Sequence, residues 1–286
     1  MSDRPLVLKM GGELLEDRGN LSTVVASLAA IVGGKSAAPL VIVHGGGKEI
    51  DAALKAAGIE KRQVEGLRVT DEETLDVVIS VLAGAVNTRV VAALNTAGVE
   101  AVGLTGADAS CGLCATAPPH TTVDGRTVDL GRVGVPHPDA DMRLVRTLAD
   151  HRFVPVIACI GMDRDGRLFN VNADTLAAHL AGLLRARRLV IAGTTPGVLG
   201  DSGATLAELD AAAMASLVRS GTATAGMIAK LRACEHALAA GVDDVVIVDG
   251  RDRAALMAAA TSDKPSAGTR ITAGLKACAT GADRTR

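Results

Sequence analysis

The sequence predicts an α/β fold: a mostly parallel sheet with helices on both faces, in two lobes that share one sheet. Three observations carry this. Short apolar runs alternate with helical patterns along the chain. Hydrophobic residues make up 48% of 286, enough for a full core, yet there are two Phe and no Trp or Tyr, so that core must be Val, Leu, Ile and Ala. No short repeat and no sharp change in composition separates the halves, so one sheet should run through both, with lobes over 1–168 and 169–273.

Residues 6–8 read as a strand, 21–32 as a helix with an apolar face, and 40–43 as a buried strand. The helical pattern 49–57 stops at Gly58, the residue best suited to a left-handed helix end. Helices are predicted over 71–83 and 86–97, the second stopped by Gly98. Thr70, with Glu73 three residues on, reads as a capping box. Residues 99–104 return to the sheet. Gly, Pro, Thr and short β-branched pairs over 111–138 predict β-hairpins across one end of the sheet, turning at Asp124-Gly125. A helix over 139–151, a strand over 154–158 and a turn over 163–166 follow. The second half repeats the alternation: helix 173–184, strand 189–192, helices 210–220 and 226–240, strand 245–248, helix 253–260 and strand 270–272. Residues 274–286 are small and polar, a frayed tail.

The formal net charge of −2 argues against a nucleic-acid partner, which asks for a basic stripe, and the missing aromatics remove base-stacking platforms. A strand begins about five residues in, leaving no room for a leader, and no apolar run reaches the roughly 18 residues of a membrane span. A cytoplasmic protein without a membrane partner is expected. Of five cysteines, Cys111 and Cys114 form a lone C-x-x-C in a Gly-rich stretch. Zinc would want a second pair or two histidines at ligand spacing, so these read as small residues of a surface hairpin. Asp163-Arg164-Asp165-Gly166 begins like a calcium loop but lacks its later ligands.

His44-Gly45-Gly46-Gly47 follows a strand and opens a helix. An esterase oxyanion loop would need G-x-S-x-G, and the stretches around Ser110 and Ser202 each miss one glycine. A dinucleotide fingerprint would need glycine at Ile50. Gly34-Lys35-Ser36 resembles a P-loop tail but has Ala29 in place of the leading glycine. Anion binding remains. A glycine turn entering a helix presents free N–H groups and the positive end of the helix dipole, and lets an anion approach the main chain. A second such turn, Met10-Gly11-Gly12, follows Lys9 at the C-terminal end of the first strand, where ligands of open α/β sheets bind. The second half adds Asp174 in the first turn of one helix and Lys230 near the start of another. Two lysines, a carboxylate and two glycine turns suggest phosphoryl transfer to or from a doubly anionic ligand.

With Leu8-Lys9-Met10-Gly11-Gly12, Val43-His44-Gly45-Gly46-Gly47, Gly66-Leu67-Arg68-Val69-Thr70-Asp71, Gly103-Leu104-Thr105-Gly106, Asn170-Val171-Asn172-Ala173-Asp174 and Gly226-Met227-Ile228-Ala229-Lys230 in this order, residues 5–272 resemble the amino acid kinase family, in its N-acetyl-L-glutamate-phosphorylating branch. The resemblance implies a three-layer αβα sandwich whose N-terminal lobe binds the amino acid and dimerises, and whose C-terminal lobe binds ATP. It implies that Lys9 and Lys230 stabilise the transferring phosphoryl group and that Asp174 orients them. Gly46 and Gly47 would hold the reacting end of the substrate, Arg68 its α-carboxylate and Asn170 its amide. Gly11 and Gly12 would cradle the phosphates, with Thr194, Gly197, Val198, Leu199, Thr222, Ala223 and Thr224 around the nucleotide. Mg2+ would ride on the phosphates, with no protein metal site. Two departures stand out: Gly193-Thr194 replaces a usual Ser/Thr-Asp, and Cys159 stands where Pro is common. The first leaves room for altered nucleotide affinity, or for a silent ligand-binding relative; a sister kinase of an aminoadipate derivative is the other alternative. With no extra N-terminal helix before the first strand, the expectation is a homodimer without arginine feedback.

Overall fold

The computed structural model describes residues 4–34, 37–122, 124–200, 202–220 and 225–273. Its centre is an eight-stranded sheet in the order Glu208–Asp210, Thr269–Thr272, Asp244–Asp249, Arg188–Gly193, Leu6–Met10, Leu40–His44, Val154–Ala158, Ala101–Thr105. All neighbours are parallel except Asp244–Asp249 with Thr269–Thr272. Leu6–Met10 pairs on one side with Leu40–His44 and on the other with Arg188–Gly193, so the first strand joins the two halves of the chain. Its side chains alternate between the two helical layers. Leu6, Leu8 and Met10 enter one core, while Val7 enters the other. Lys9 therefore points to the Val7 side, toward the layer that holds helix Ala173–Leu183. The fold is the αβα sandwich the sequence implies.

A second, four-stranded sheet (Ile160–Met162, Leu168–Val171, Val133–Pro136, Cys114–Thr116) and two small hairpins stand over the C-terminal end of the main sheet's N-terminal half. The hairpin Gln63–Val64 with Leu67–Arg68, absent from the sequence reading, turns through Glu65 and Gly66, both at positive φ (48° and 82°). The expected lobe boundary at 168/169 falls inside the strand Leu168–Val171, which pairs only with strands N-terminal to it.

Four expectations need correction. The two helices over 71–97 are one, Glu72–Thr96, with a π-helical stretch Ser80–Val86 in its middle. Val78, Leu82, Val86, Val90 and Leu94 are all buried at a spacing of four. An α-helix of 3.6 residues per turn cannot keep that spacing on one face, and the wider π turn takes up the drift. Reading 3.6-residue periodicity splits such a segment in two, which also hid that it is long and apolar enough to span a membrane by length and composition. In the fold its inner side packs into both core layers. Secondly, the helix is capped by Asp71, whose carboxylate accepts from Thr74 N at 2.9 Å, while Thr70 is buried and turned inward. Thirdly, Glu208–Asp210 is an edge strand, so the helix there begins at Ala211. Fourthly, Cys111 and Cys114 are buried free thiols, and burial pushes each up to about 12; they are core packing, not surface hairpin.

Candidate active site

The two glycine turns touch. Leu6–Met10 and Leu40–His44 run in register and end together at Met10 and His44, so the turns leave the sheet side by side. Gly11 N donates to Ala192 O at 2.9 Å and Gly45 N to Met10 O at 3.3 Å. A Cβ on Gly12 would lie 2.8 Å from Gly46 Cα and 3.0 Å from Gly47 N. Gly46 precedes the helix Gly47–Ala57, whose N-terminus has no side-chain cap, so its first amides remain for a ligand. Gly12→Ala should pry the turns apart. We expect a kcat about tenfold lower with an unchanged far-ultraviolet circular dichroism spectrum, measured by steady-state kinetics.

The turns floor a cleft of about 270 Å³ lined, among others, by Lys9, Glu13, Arg68, Asn170 and Asp174. Lys9 Nζ lies 2.9 Å from Asp174 Oδ1, and Lys230 Nζ lies 4.0 Å from Asp174 Oδ2. The first is a close, buried ion pair. Two ammonium groups from opposite halves thus meet across one carboxylate. Asp174 stands here because Asn172 caps its helix, accepting from Thr175 N, which sets the carboxylate in the first turn. Burial alone would lift the Asp174 carboxyl, but the charges of Lys9 and Lys230 hold it below the ordinary range. Burial alone would likewise lower Lys9, but Asp174, with a contribution from Glu13, holds it above.

Arg68 enters from the Gln63–Arg68 hairpin. One Nη2 pairs with Asp51 Oδ1 and donates to Gly47 O at 3.3 Å, while Nη1 is buried with no hydrogen-bond partner among the described residues. A buried guanidinium edge without a partner asks for an anion. Asn170 donates to Thr70 Oγ1 at 3.2 Å, which fixes its amide at the cleft wall. Asp51, Glu13 and Cys159 escaped the sequence reading of the site. Asp51 lies one helical turn past Gly47, a signal that could have found it. Glu13 directly follows the first glycine turn.

The structure brings Lys9, Gly12, Gly46, Gly47, Arg68, Asn170 and Asp174 into this cleft, with Lys230 beside it and Gly11 behind it. Thr194, Gly197, Val198 and Leu199 do not line it. They follow the strand Arg188–Gly193, where Arg251 donates to Thr194 O at 2.9 Å. Gly197 has φ 146°, and a Cβ there would meet Thr269 Oγ1 at 2.5 Å, so glycine is required for the turn. The Val198 side chain is buried. Thr222, Ala223 and Thr224 lie outside the described residues.

Residues 4–249 match the Amino acid kinase family. The chain is 36% identical to the acetylglutamate kinase of Bradyrhizobium diazoefficiens over 260 residues, 89% of this chain and 87% of that one. Among solved structures it is similar to smu.665 from Streptococcus mutans, with TM-score 0.76 and 26% identity over 95% of this chain and all of that one. It is also similar to N-acetylglutamate synthase from Neisseria gonorrhoeae complexed with coenzyme A and N-acetyl-glutamate (TM-score 0.78, 27% identity, 95% of this chain and 60% of that one). The chain belongs to the amino acid kinase family.

Proposed function

We propose that this chain transfers the γ-phosphoryl group of ATP to the side-chain carboxylate of N-acetyl-L-glutamate, forming an acyl phosphate in arginine biosynthesis. The observation that carries the reading is the convergence of Lys9 and Lys230 on Asp174 beside two touching glycine turns. A carboxylate nucleophile is already ionised at neutral pH, so the reaction needs no general base. It needs two anions held together and charge stabilised on the transferring group. Lys9 and Lys230 supply that charge, Asp174 keeps both aimed, and the free amides at Gly46 and Gly47 receive the reacting carboxylate. Arg68 grips the α-carboxylate through its unpaired Nη1, and Asn170 meets the acetamido group.

A Cβ at Gly47 would meet nothing within 4 Å, and this open space beside Lys9 and Lys230 fits the phosphates of ATP; Gly11 and Gly12 would cradle them through the main chain, and Thr194, Gly197, Val198, Leu199 and the 222–224 loop would line the nucleoside. When bound, Mg2+ neutralises the β- and γ-phosphates. Because Asp174 is committed to two lysines, phosphate oxygens and water would hold the ion. The N-terminal lobe takes the amino acid and the C-terminal lobe the nucleotide, in a cytoplasmic homodimer. Gly84 and Ala85, exposed in the middle of helix Glu72–Thr96, offer a small side-chain-poor surface for a second copy.

Trapping the acyl phosphate with hydroxylamine tests the reaction. ATP with N-acetyl-L-glutamate should give the hydroxamate; no hydroxamate, or a strong preference for the aminoadipate analogue, overturns the assignment. Arg68→Ala should raise KM for the amino acid by about tenfold with kcat changed far less, because that contact is the same in ground and transition states. Initial rates over a range of amino-acid concentrations check this.

A further inference from the structure

Behind the second glycine turn lies a buried polar chain that the chemistry above does not use. Asn87 directly follows the π-helical stretch and is buried. Its amide nitrogen lies 2.9 Å from Val156 O and 3.0 Å from His44 Nε2. A carbonyl can only accept, so the nitrogen of the Asn87 amide, not its oxygen, must face Val156. The second hydrogen on that nitrogen points at His44 Nε2, which must then be the acceptor. This places the imidazole proton on Nδ1, 3.1 Å from the Gly45 carbonyl oxygen. Gly103 makes room for the other end of the amide: a Cβ there would lie 2.1 Å from Asn87 Oδ1. Burial, with the nearby Arg89 charge adding to it, pushes His44 down to about 4, so the ring stays neutral.

In a trans peptide the C=O and the following N–H point opposite ways. A hydrogen bond that holds the Gly45 carbonyl toward His44 therefore turns the Gly46 N–H away from the ring. Gly46 N donates to no backbone acceptor among the described residues. We propose that Asn87 and His44 are positioning residues: a buried relay from Val156 through Asn87 and His44 that pins the Gly45 carbonyl and so aims the Gly46 N–H at the substrate carboxylate. The catalytic part of this inference rests on the proposed kinase reaction, whereas the relay itself can be observed without it.

Nitrogen NMR of the histidine rings in the wild-type protein decides the relay directly. His44 should carry its proton on Nδ1 with Nε2 bare at neutral pH; a proton on Nε2, or an imidazolium, overturns the proposal. Asn87→Asp has the same shape but, ionised, donates to neither partner and, protonated, to only one of the two. It should shift the Gly46 amide resonance and lower kcat by about tenfold, with KM for ATP unchanged. A merely space-filling Asn87 would tolerate this isostere, so wild-type kcat with an unmoved Gly46 amide also overturns it. Should the wild-type protein show no kinase activity, the reaction assignment fails, while the tautomer and the amide shift still decide the relay. If the variant does not fold, the wild-type tautomer carries the decision alone.

Discussion

Lys230→Ala is expected to lower kcat by about a hundredfold or more while the protein still folds and still binds the amino acid. The loss is on the scale of removing one preorganised charge partner from a site built around a developing anion. Lys230 arrives on helix Ala225–Ala239 from the half of the chain opposite Lys9 and reaches Asp174 Oδ2 at 4.0 Å. Its side chain is 20% exposed, against 8% for Lys9. Removing it therefore leaves little unpaired charge in the interior, and the kinetic effect is not confounded with unfolding. Asp174 keeps Lys9 as its nearer partner. In the proposed site ATP and the carboxylate would still meet Lys9, Arg68 and the amides in the ground state, so KM should move less than kcat. Calorimetric titration of N-acetyl-L-glutamate alongside hydroxamate kinetics separates the two. Turnover near wild type would remove Lys230 from the chemistry and leave Lys9 as the cation that matters.

Residues recognisable from sequence were those whose role is written into adjacent positions. Lys9-Met10-Gly11-Gly12 and His44-Gly45-Gly46-Gly47 announce themselves because strand, glycines and helix follow one another within a few residues. Asp174 does so because Asn172 precedes it as a cap. What could not be read depends on pairs far apart in the chain. Gly12 must be glycine because of Gly46, 34 positions on, a reason local turn chemistry does not contain. Arg68 is held by Asp51 through a hairpin two residues per strand, too short to show a period. The helix Glu72–Thr96 reads as two because Gly84-Ala85 interrupts the apolar pattern, while the even four-residue spacing from Val78 to Leu94 needs the π-helical stretch to stay on one face. Asn87, directly after that stretch, meets partners 43 and 69 positions away, which no local pattern contains.

Asp174→Asn should cost both activity and stability. It keeps the shape of the carboxylate but removes the charge that Lys9 faces at 2.9 Å in the interior. Breaking one partner of a buried pair typically costs about 3 kcal/mol, because the other charge is left uncompensated. Lys9 and Lys230 would also repel each other with nothing between them, so kcat should fall by about a hundredfold.

The pH dependence distinguishes this loss from ordinary destabilisation. In the wild type, the lowered Asp174 carboxyl contributes stability that is present above its ordinary 3.8 and is lost as pH falls through its folded value. The raised Lys9 contributes stability that is present below 10.5 and is lost as pH rises through its folded value. In the variant, burial acts on Lys9 with only the smaller contributions of Glu13 and Cys159 against it, and its folded value should drop below 10.5. The unfolded chain then binds more protons than the folded one between those two values, so the variant gains stability as pH rises where the wild type does not. Urea unfolding midpoints from neutral pH to about 10 provide the comparison. Parallel midpoint curves for the two proteins would mean that the Asp174 charge does not hold the Lys9 ammonium in the core, and the shared-carboxylate design of the site would fall with it.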